Sequence, residues 1–254
     1  VLDKTRTAMG ARTLRSYVEQ PLIDAEEINR RLDAVEELTQ KPMLRDEIRE
    51  YLNPVYDLER LISRISYQSA NPRDMVAFAS SLEMIPYIRQ VLKEFQVPVL
   101  KQIYEDMDPL EDVTALIKKS IVDEPPIAQK DGGIIREGYN EDVDKFRRSR
   151  TDGKKWLTEL EAREKERTGI KTLKVKYSRV FGYALEVTNS FKNLVPEDYV
   201  RKQTLTNAER YITKELKDLE DMILGAEDRL YALEYELFAD VREKVGREVV
   251  RIQK

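Results

Sequence analysis

Leu216, Leu219, Ile223, Ala226, Leu230, Leu233 and Leu237 recur in a strict three-four alternation, the seam of a helix that packs at a small angle along a partner helix. A second long stretch of helical spacing, residues 140–168, precedes it. Val143, Phe146, Leu157 and Leu160 lie on one side of that stretch with Trp156 beside them, and Gly153 interrupts it at a cost of ~1 kcal/mol relative to Ala. At 1.5 Å per residue, residues 214–245 make a helix ~48 Å long and residues 140–168 one of ~43 Å. Two helices of matched length that pair antiparallel must hold whatever lies between them at the far end of an arm, some ~40 Å from the remaining chain.

What lies between them has a different period. Residues 172–179 (TLKVKYSR) alternate apolar and polar, 182–188 (GYALEVT) follow after a short turn at Val180 and Phe181, and 200–205 and 210–212 supply two more strands. The alternation turns Leu173, Val175, Tyr177, Tyr183, Leu185 and Val187 inward, and leaves Lys174, Lys176 and Arg179 on an outer face with Thr172 and Ser178. Charge is segregated with the change of period. Residues 154–213 hold 13 Lys+Arg against 8 Asp+Glu, whereas the remaining chain holds 31 against 40. A basic module spliced into an acidic helical chain is the electrostatic footprint of an anionic partner, nucleic acid or a membrane surface.

The first 120 residues read as a helical array, with helices expected over 10–19, 24–38, 42–52, 57–67, 71–95 with a kink at Pro86, and 109–121. Asn, Asp or Pro stands at each boundary in a capping or stopping position. Asp24 and Glu27 are spaced as a capping box, and Ile28, Leu32 and Val35 form an apolar stripe assigned to the core. Pro125, Pro126 and an Asp131-Gly132-Gly133 turn make an irregular crossing to the long helices. The fold class is therefore mainly α with a small β insert: a multi-helix core and two long antiparallel helices that carry an antiparallel sheet at their tip. The expected domains are 1–153 with 214–254, discontinuous and helical, and 154–213, inserted.

Composition removes several function classes. The chain has no Cys and no His, which excludes disulfides, thiolate zinc sites, thiol catalysis and histidine-based triads. No apolar run approaches the ~18 residues of a membrane span, and the opening VLDKTRTAMG is no signal peptide, so a soluble cytoplasmic protein without a membrane partner is expected. The start at Val1 suggests a piece of a longer polypeptide. Charged residues make up 36% of the chain against ~25% in an average domain, which together with nine glycines points to long solvent-exposed helices.

The candidate contact set is Lys174, Lys176, Ser178 and Arg179, with Arg201, Lys202, Gln203, Thr204, Thr206 and Asn207. Cations beside hydroxyl and amide donors suit phosphate oxygens, and the RKQTLTN run adjoins a turn whose backbone N–H groups can add to it. Tyr177, Tyr183, Tyr199 and Tyr211 interleave these residues, but register assigns at least two of them to the core, which disfavours a base-stacking platform. Glu47, Glu50, Glu105, Asp106 and Asp108 are scattered carboxylates on amphipathic helices and are read as a solvated face, with no metal site. No catalytic constellation emerges, and no GxxxxGK[ST] phosphate loop is present.

The stretches TAMGARTLRSYVEQPL, AEEINRRLDAVEEL, DLERLISRIS, NPRDM, IVDEPPIAQKDGGIIREGYNEDVD, ERTGIKTLKV, VFGYALEVT and VPEDYVRKQTLTNAERYITKELKDLE together resemble the bacterial MutS family of mismatch-recognition proteins, almost from end to end. The resemblance implies a core and lever domain with a clamp domain inserted into two lever helices. It further implies that the clamp closes over double-stranded DNA and contacts phosphates without reading sequence. The family pattern GYYI stands here as Gly182-Tyr183-Ala184-Leu185. The frequent LKNAERY stands as Leu205-Thr206-Asn207-Ala208-Glu209-Arg210-Tyr211, with Thr206 where lysine is common. The resemblance makes Asn207, Arg201, Lys202 and Gln203 the preferred contacts.

A Phe-x-Glu reading element and a P-loop domain are both missing from this chain. The resemblance thus implies a homodimeric, DNA-dependent ATPase as the full-length protein, using ATP and Mg, and a non-enzymatic stretch here without a cofactor. The lever helices would link the missing ATPase and mismatch-reading domains to the clamp. A scaffold whose basic tip docks an acidic protein is the alternative from a different class.

Overall fold

The computed structural model describes residues 2–127 and 132–253. Its contacts divide into two compact units, Val1–Tyr139 with Glu234–Lys254, and Asn140–Leu233. Among the described residues the first unit contains α1 (Ala8–Glu19), α2 (Ala25–Gln40), α3 (Pro42–Leu52), α4 (Leu58–Ser66), α5 (Pro72–Leu82), α6 (Ile85–Leu92), α7 (Pro98–Asp106) and α8 (Glu111–Ser120). The second contains α9 (Glu141–Thr168) and strands β1 (Lys174–Ser178), β2 (Gly182–Thr188), β3 (Val200–Thr204) and β4 (Ala208–Ile212). Helix α10 (Lys214–Arg247) contributes to both units, and α11 (Val249–Ile252) follows it. The mainly α class with a small β insert is what the sequence led us to expect.

In the first unit, Phe78, Phe95, Met75, Leu82, Ile65, Ile117 and Phe238 are buried almost completely. Local chemistry starts the helices: Asn71 and Asp74 form a reciprocal capping box on α5, and Asp57 accepts from the Arg60 amide at α4. Asp24 caps α2 through the Glu26 and Glu27 amides, but the Glu27 carboxylate pairs with Arg30 at 2.7 Å rather than closing the expected box.

Three expectations are corrected here. The helix expected over 71–95 is two helices, because Pro86 lies in the first turn of α6 and cannot continue the hydrogen bonding of α5. Helix α7 stands where none was expected. The stripe Ile28, Leu32 and Val35 is not core: these residues are 36%, 55% and 57% exposed. Helix α2 is rotated so that Ala34, Glu37 and Leu38 pack instead, with the small Ala34 admitting close approach and Glu37 bonding the Gln96 and Val97 amides at the start of α7.

The crossing after α8 bonds Val122 N–H to the Ile134 carbonyl and Arg136 N–H to the Ser120 carbonyl. The fully buried Glu234 of α10 accepts from the Gly133 amide at 2.6 Å. Asp131 of the expected turn lies outside the described residues.

The second unit is organised by the α9–α10 pair. Arg163 meets Glu215, Gly153 meets Ile223 and Arg150 meets Glu227, so positions descend along one helix as they rise along the other. The pairing is antiparallel, as expected of two helices of matched length that flank one insert. A Cβ at Gly153 would collide with the Ile223 side chain, so this glycine lets Ile223 of α10 pack directly on the α9 backbone. The sheet has strand order β1-β2-β4-β3, antiparallel throughout. Leu173, Leu185, Val187 and Tyr211 join Leu157, Leu160, Leu216 and Ile223 in one core.

Candidate functional site

Register sorts the candidate residues onto surfaces that the sequence alone left merged. Lys174 stands opposite Glu186, Glu186 opposite Arg210 and Arg210 opposite Gln203, a row across all four strands on the face turned away from the helices. Lys176, opposite Ala184, and Ser178, opposite Gly182, share that face on β1. Lys202 sits at the irregularity between Arg201 and Gln203 and donates to the Phe181 carbonyl at 2.7 Å.

Arg201 and Thr204 belong to the other face. Arg201 pairs with Tyr211 and Thr204 with Glu209, residues whose side chains turn toward the helices. The Arg201 guanidinium lies 3.5 Å from the buried Glu209 carboxylate, which Lys192 also holds at 2.7 Å. Lys192 and the Tyr211 hydroxyl hold the Glu209 carboxyl below its ordinary range. Part of the charge of Arg201 is therefore already answered inside the protein. Arg179 is corrected too: it falls in the turn after β1 rather than on the strand face.

Thr206 and Asn207 form the two-residue turn between β3 and β4, closed by Leu205 N–H to the Ala208 carbonyl at 2.8 Å. Asn189 buttresses this turn, its side-chain amide donating to the Thr206 carbonyl and its backbone N–H to that of Asn207, each at 3.1 Å. Thr172 and Thr188 hydroxyls meet at 3.0 Å on neighbouring chain. Of the four tyrosines, Tyr199 and Tyr211 are buried with their rings 5.8 Å apart and Tyr183 is half-buried, but Tyr177, expected to face inward, is 52% exposed near the end of the edge strand β1, a correction to the register reading.

Lys171, Lys174, Lys176, Arg179 and Lys202 are exposed, and among the described residues none forms an ion pair. By contrast Arg210, on the same face, is held by Glu186 at 2.9 Å and Gln203 at 3.0 Å. The arrangement offers exposed cations to an anion from outside. Among the described residues no group of three acidic side chains is placed to hold a metal ion; Asp108, one of the carboxylates considered, is engaged by Arg251 at 2.8 Å. No helix of the described residues is long and apolar enough to cross a membrane.

Comparison with known families matches residues 1–254 to the family described as MutS domain III. The chain belongs to the MutS family. It is 63% identical over its whole length to the DNA mismatch repair protein MutS of Lachnoclostridium phytofermentans, of which it covers 27%. It is 52% identical to the protein of that name from Acetivibrio thermocellus and 54% identical to that from Caldanaerobacter subterraneus, again over the full chain and 29% of each. The chain thus spans less than a third of the length of these MutS relatives.

Sequence reasoning missed Lys171, Arg210, Asn189 and Lys192 in this region. The parity of β4 could have placed Arg210 outward, but only the register shows that Glu186 neutralises it. Asn189 lies in the 3-10 segment Asn189–Leu194, where no periodic signal points to the distant turn it supports.

Proposed function

We propose that this stretch is the lever and clamp region of a DNA mismatch-repair protein, and that its sheet grips duplex DNA through phosphates without reading sequence. The observation that carries this reading is the set of five exposed cations without ion pairs around one small sheet, in a chain of net charge -4. Lys and Arg so placed neutralise phosphates, while Ser178, Gln203, Thr206 and Asn207 orient them. Helices α9 and α10, continuous through the second unit, are the elements that would transmit the state of an ATPase domain elsewhere in a longer homodimeric protein, where ATP and Mg act. The stretch itself carries no reaction in this reading.

Duplex affinity measured against salt tests it. If the five cations each neutralise one phosphate, the log-log slope is about -4.5, and affinity falls about 500-fold between 50 and 200 mM salt. Replacing Lys174, Lys176 and Lys202 with Ala should make the slope shallower by about 2.7. Homoduplex and mismatched duplex should bind equally. An unchanged slope in the triple variant removes the assignment.

A further inference from the structure

Where the sheet's own hydrogen bonding stops, carboxylates from the two long helices take over. Strand β1 is an edge, with β2 on one side only. On its open side the Val175 amide donates to Glu161 of α9 at 2.8 Å. Pairing of β2 with β4 begins at Leu185 and Tyr211, so the Tyr183 amide lies beyond the paired stretch; it donates to Glu220 of α10 at 2.5 Å. At the far edge, the buried Tyr199 hydroxyl, just before β3, donates to Glu164 of α9 at 2.7 Å.

The three carboxylates share a design. Each also accepts from a cation on its own helix: Glu161 from Lys165 at 2.6 Å, Glu164 from Arg167 at 2.8 Å and Glu220 from Lys217 at 2.5 Å. Glu164 and Glu220 are each 5% exposed. A cation on the same helix holds each carboxylate in place, and charge-assisted hydrogen bonds are roughly twice as strong as neutral ones. Gly182 makes one of these contacts sterically feasible. Its φ is +72°, and a Cβ there would collide with the Glu220 carboxylate.

We propose that Glu161, Glu164 and Glu220 are the positioning residues of the nucleic-acid contact, clasping the sheet to both long helices so that its cationic face is presented in one orientation. The apolar core shared with Leu157, Leu160, Leu216 and Ile223 holds the sheet against the helices, and anchors at both edges and at the end of a central strand add directional contacts that fix its tilt on that core. This inference rests on the duplex-binding reading above, and it makes residues that touch no phosphate control how many phosphates are reached.

The test uses the intact chain. In E161A and E220A, amide exchange at Val175 and Tyr183 respectively should rise about tenfold or more with helix content unchanged. The salt slope of duplex binding should become shallower by about 0.9 for each phosphate lost. E161Q and E220Q keep an acceptor oxygen without the charge and should restore both readouts in part. G182A, which displaces Glu220, should raise Tyr183 exchange and lower the slope as E220A does, while its backbone strain at φ +72° adds a separate loss of stability that persists in the double variant.

A loss of stability alone lowers the active fraction and weakens binding at every salt concentration alike, leaving the slope as it was. Unchanged exchange, or raised exchange with an unchanged slope, overturns the positioning role. Failure of the parent chain to bind duplex overturns the underlying reading, and the parent's own titration tells the two failures apart.

Discussion

Glu37 shows how a single charged residue can decide what its neighbours do. Its nearly buried carboxylate accepts from Lys41 Nζ at 2.8 Å and from the Gln96 and Val97 amides at 2.9 Å, the donors that open α7. Burial pushes this carboxyl up, but the bonds from Lys41, Val97 and Gln96 outweigh it and hold it below its usual range. A depressed folded value contributes stability that is present above the unfolded value, about 4.5, and is lost as pH falls through the folded one. The urea midpoint of the wild-type chain should therefore drop more between pH 5 and pH 3 than that of E37Q. E37A, which leaves the amides without their acceptor, should lose about 1–3 kcal/mol at pH 7. The opposite holds for Ile28, Leu32 and Val35, whose exposure makes serine substitutions cost within about 0.5 kcal/mol each in denaturant titrations of this chain. Residue by residue, the candidate site was legible in kind but not in arrangement. Lys174, Lys176 and Ser178 share a face because strand parity is local information. Arg201 went to the opposite face, and its partial neutralisation by Glu209 depends on a pairing register and an irregularity at Lys202 that parity alone does not convey.

The elements follow the same division between local and distant causes. The α9–α10 pair was readable because its seam repeats along a single helix, and Gly153 proves to be a packing residue rather than a weak point. G153A gains helix propensity of about 1 kcal/mol but forces a Cβ into Ile223, and overpacking of this kind costs about 1–3 kcal/mol. We expect G153A to be neutral to destabilising by thermal unfolding. I223A should relieve the clash, so that the double variant is more stable than the sum of the single changes allows. An additive double variant would show that the crossing is not close. Helix α7 escaped sequence reasoning because its opening amides are bonded by Glu37, nearly sixty residues earlier, and no side-chain cap lies beside it. Helices α5 and α6 share helical spacing across the residues that join them, so periodicity fused them. Only the geometric demand of Pro86 for a first-turn position separates them. The α2 stripe misled for a different reason. Its 3–4 spacing is genuine, yet Ala34, Glu37 and Leu38 have the same spacing on another side of the helix, and tertiary bonds chose that side.

On the scale of the whole molecule, the chain is built from ion pairs and lacks the residues that would make them switch near neutrality. With no His and no Cys, no side chain whose ordinary pKa lies between 5 and 8 is present. Several carboxylates are shifted downward by their partners, among them Asp57 by Arg12, Asp108 and Asp112 by Arg251, and Asp198 by Arg167. Each lowered value contributes stability above its unfolded pKa that is withdrawn as the solution is acidified through the folded one, so the pairs act in the same direction. Stability should be nearly flat from pH 5.5 to 8 and fall progressively below about pH 4.5, measured as the urea midpoint at constant ionic strength. The same absence bears on function. In the proposed duplex contact, lysine and arginine against phosphate leave no group to discharge in the neutral range, so duplex affinity at fixed salt should vary by less than about twofold from pH 6 to 8. Over a fourfold rise in salt it should fall by orders of magnitude. A steep pH dependence of binding in that window would mean that a titrating group on the DNA-bound complex, and not the fixed charge of the sheet, controls the contact.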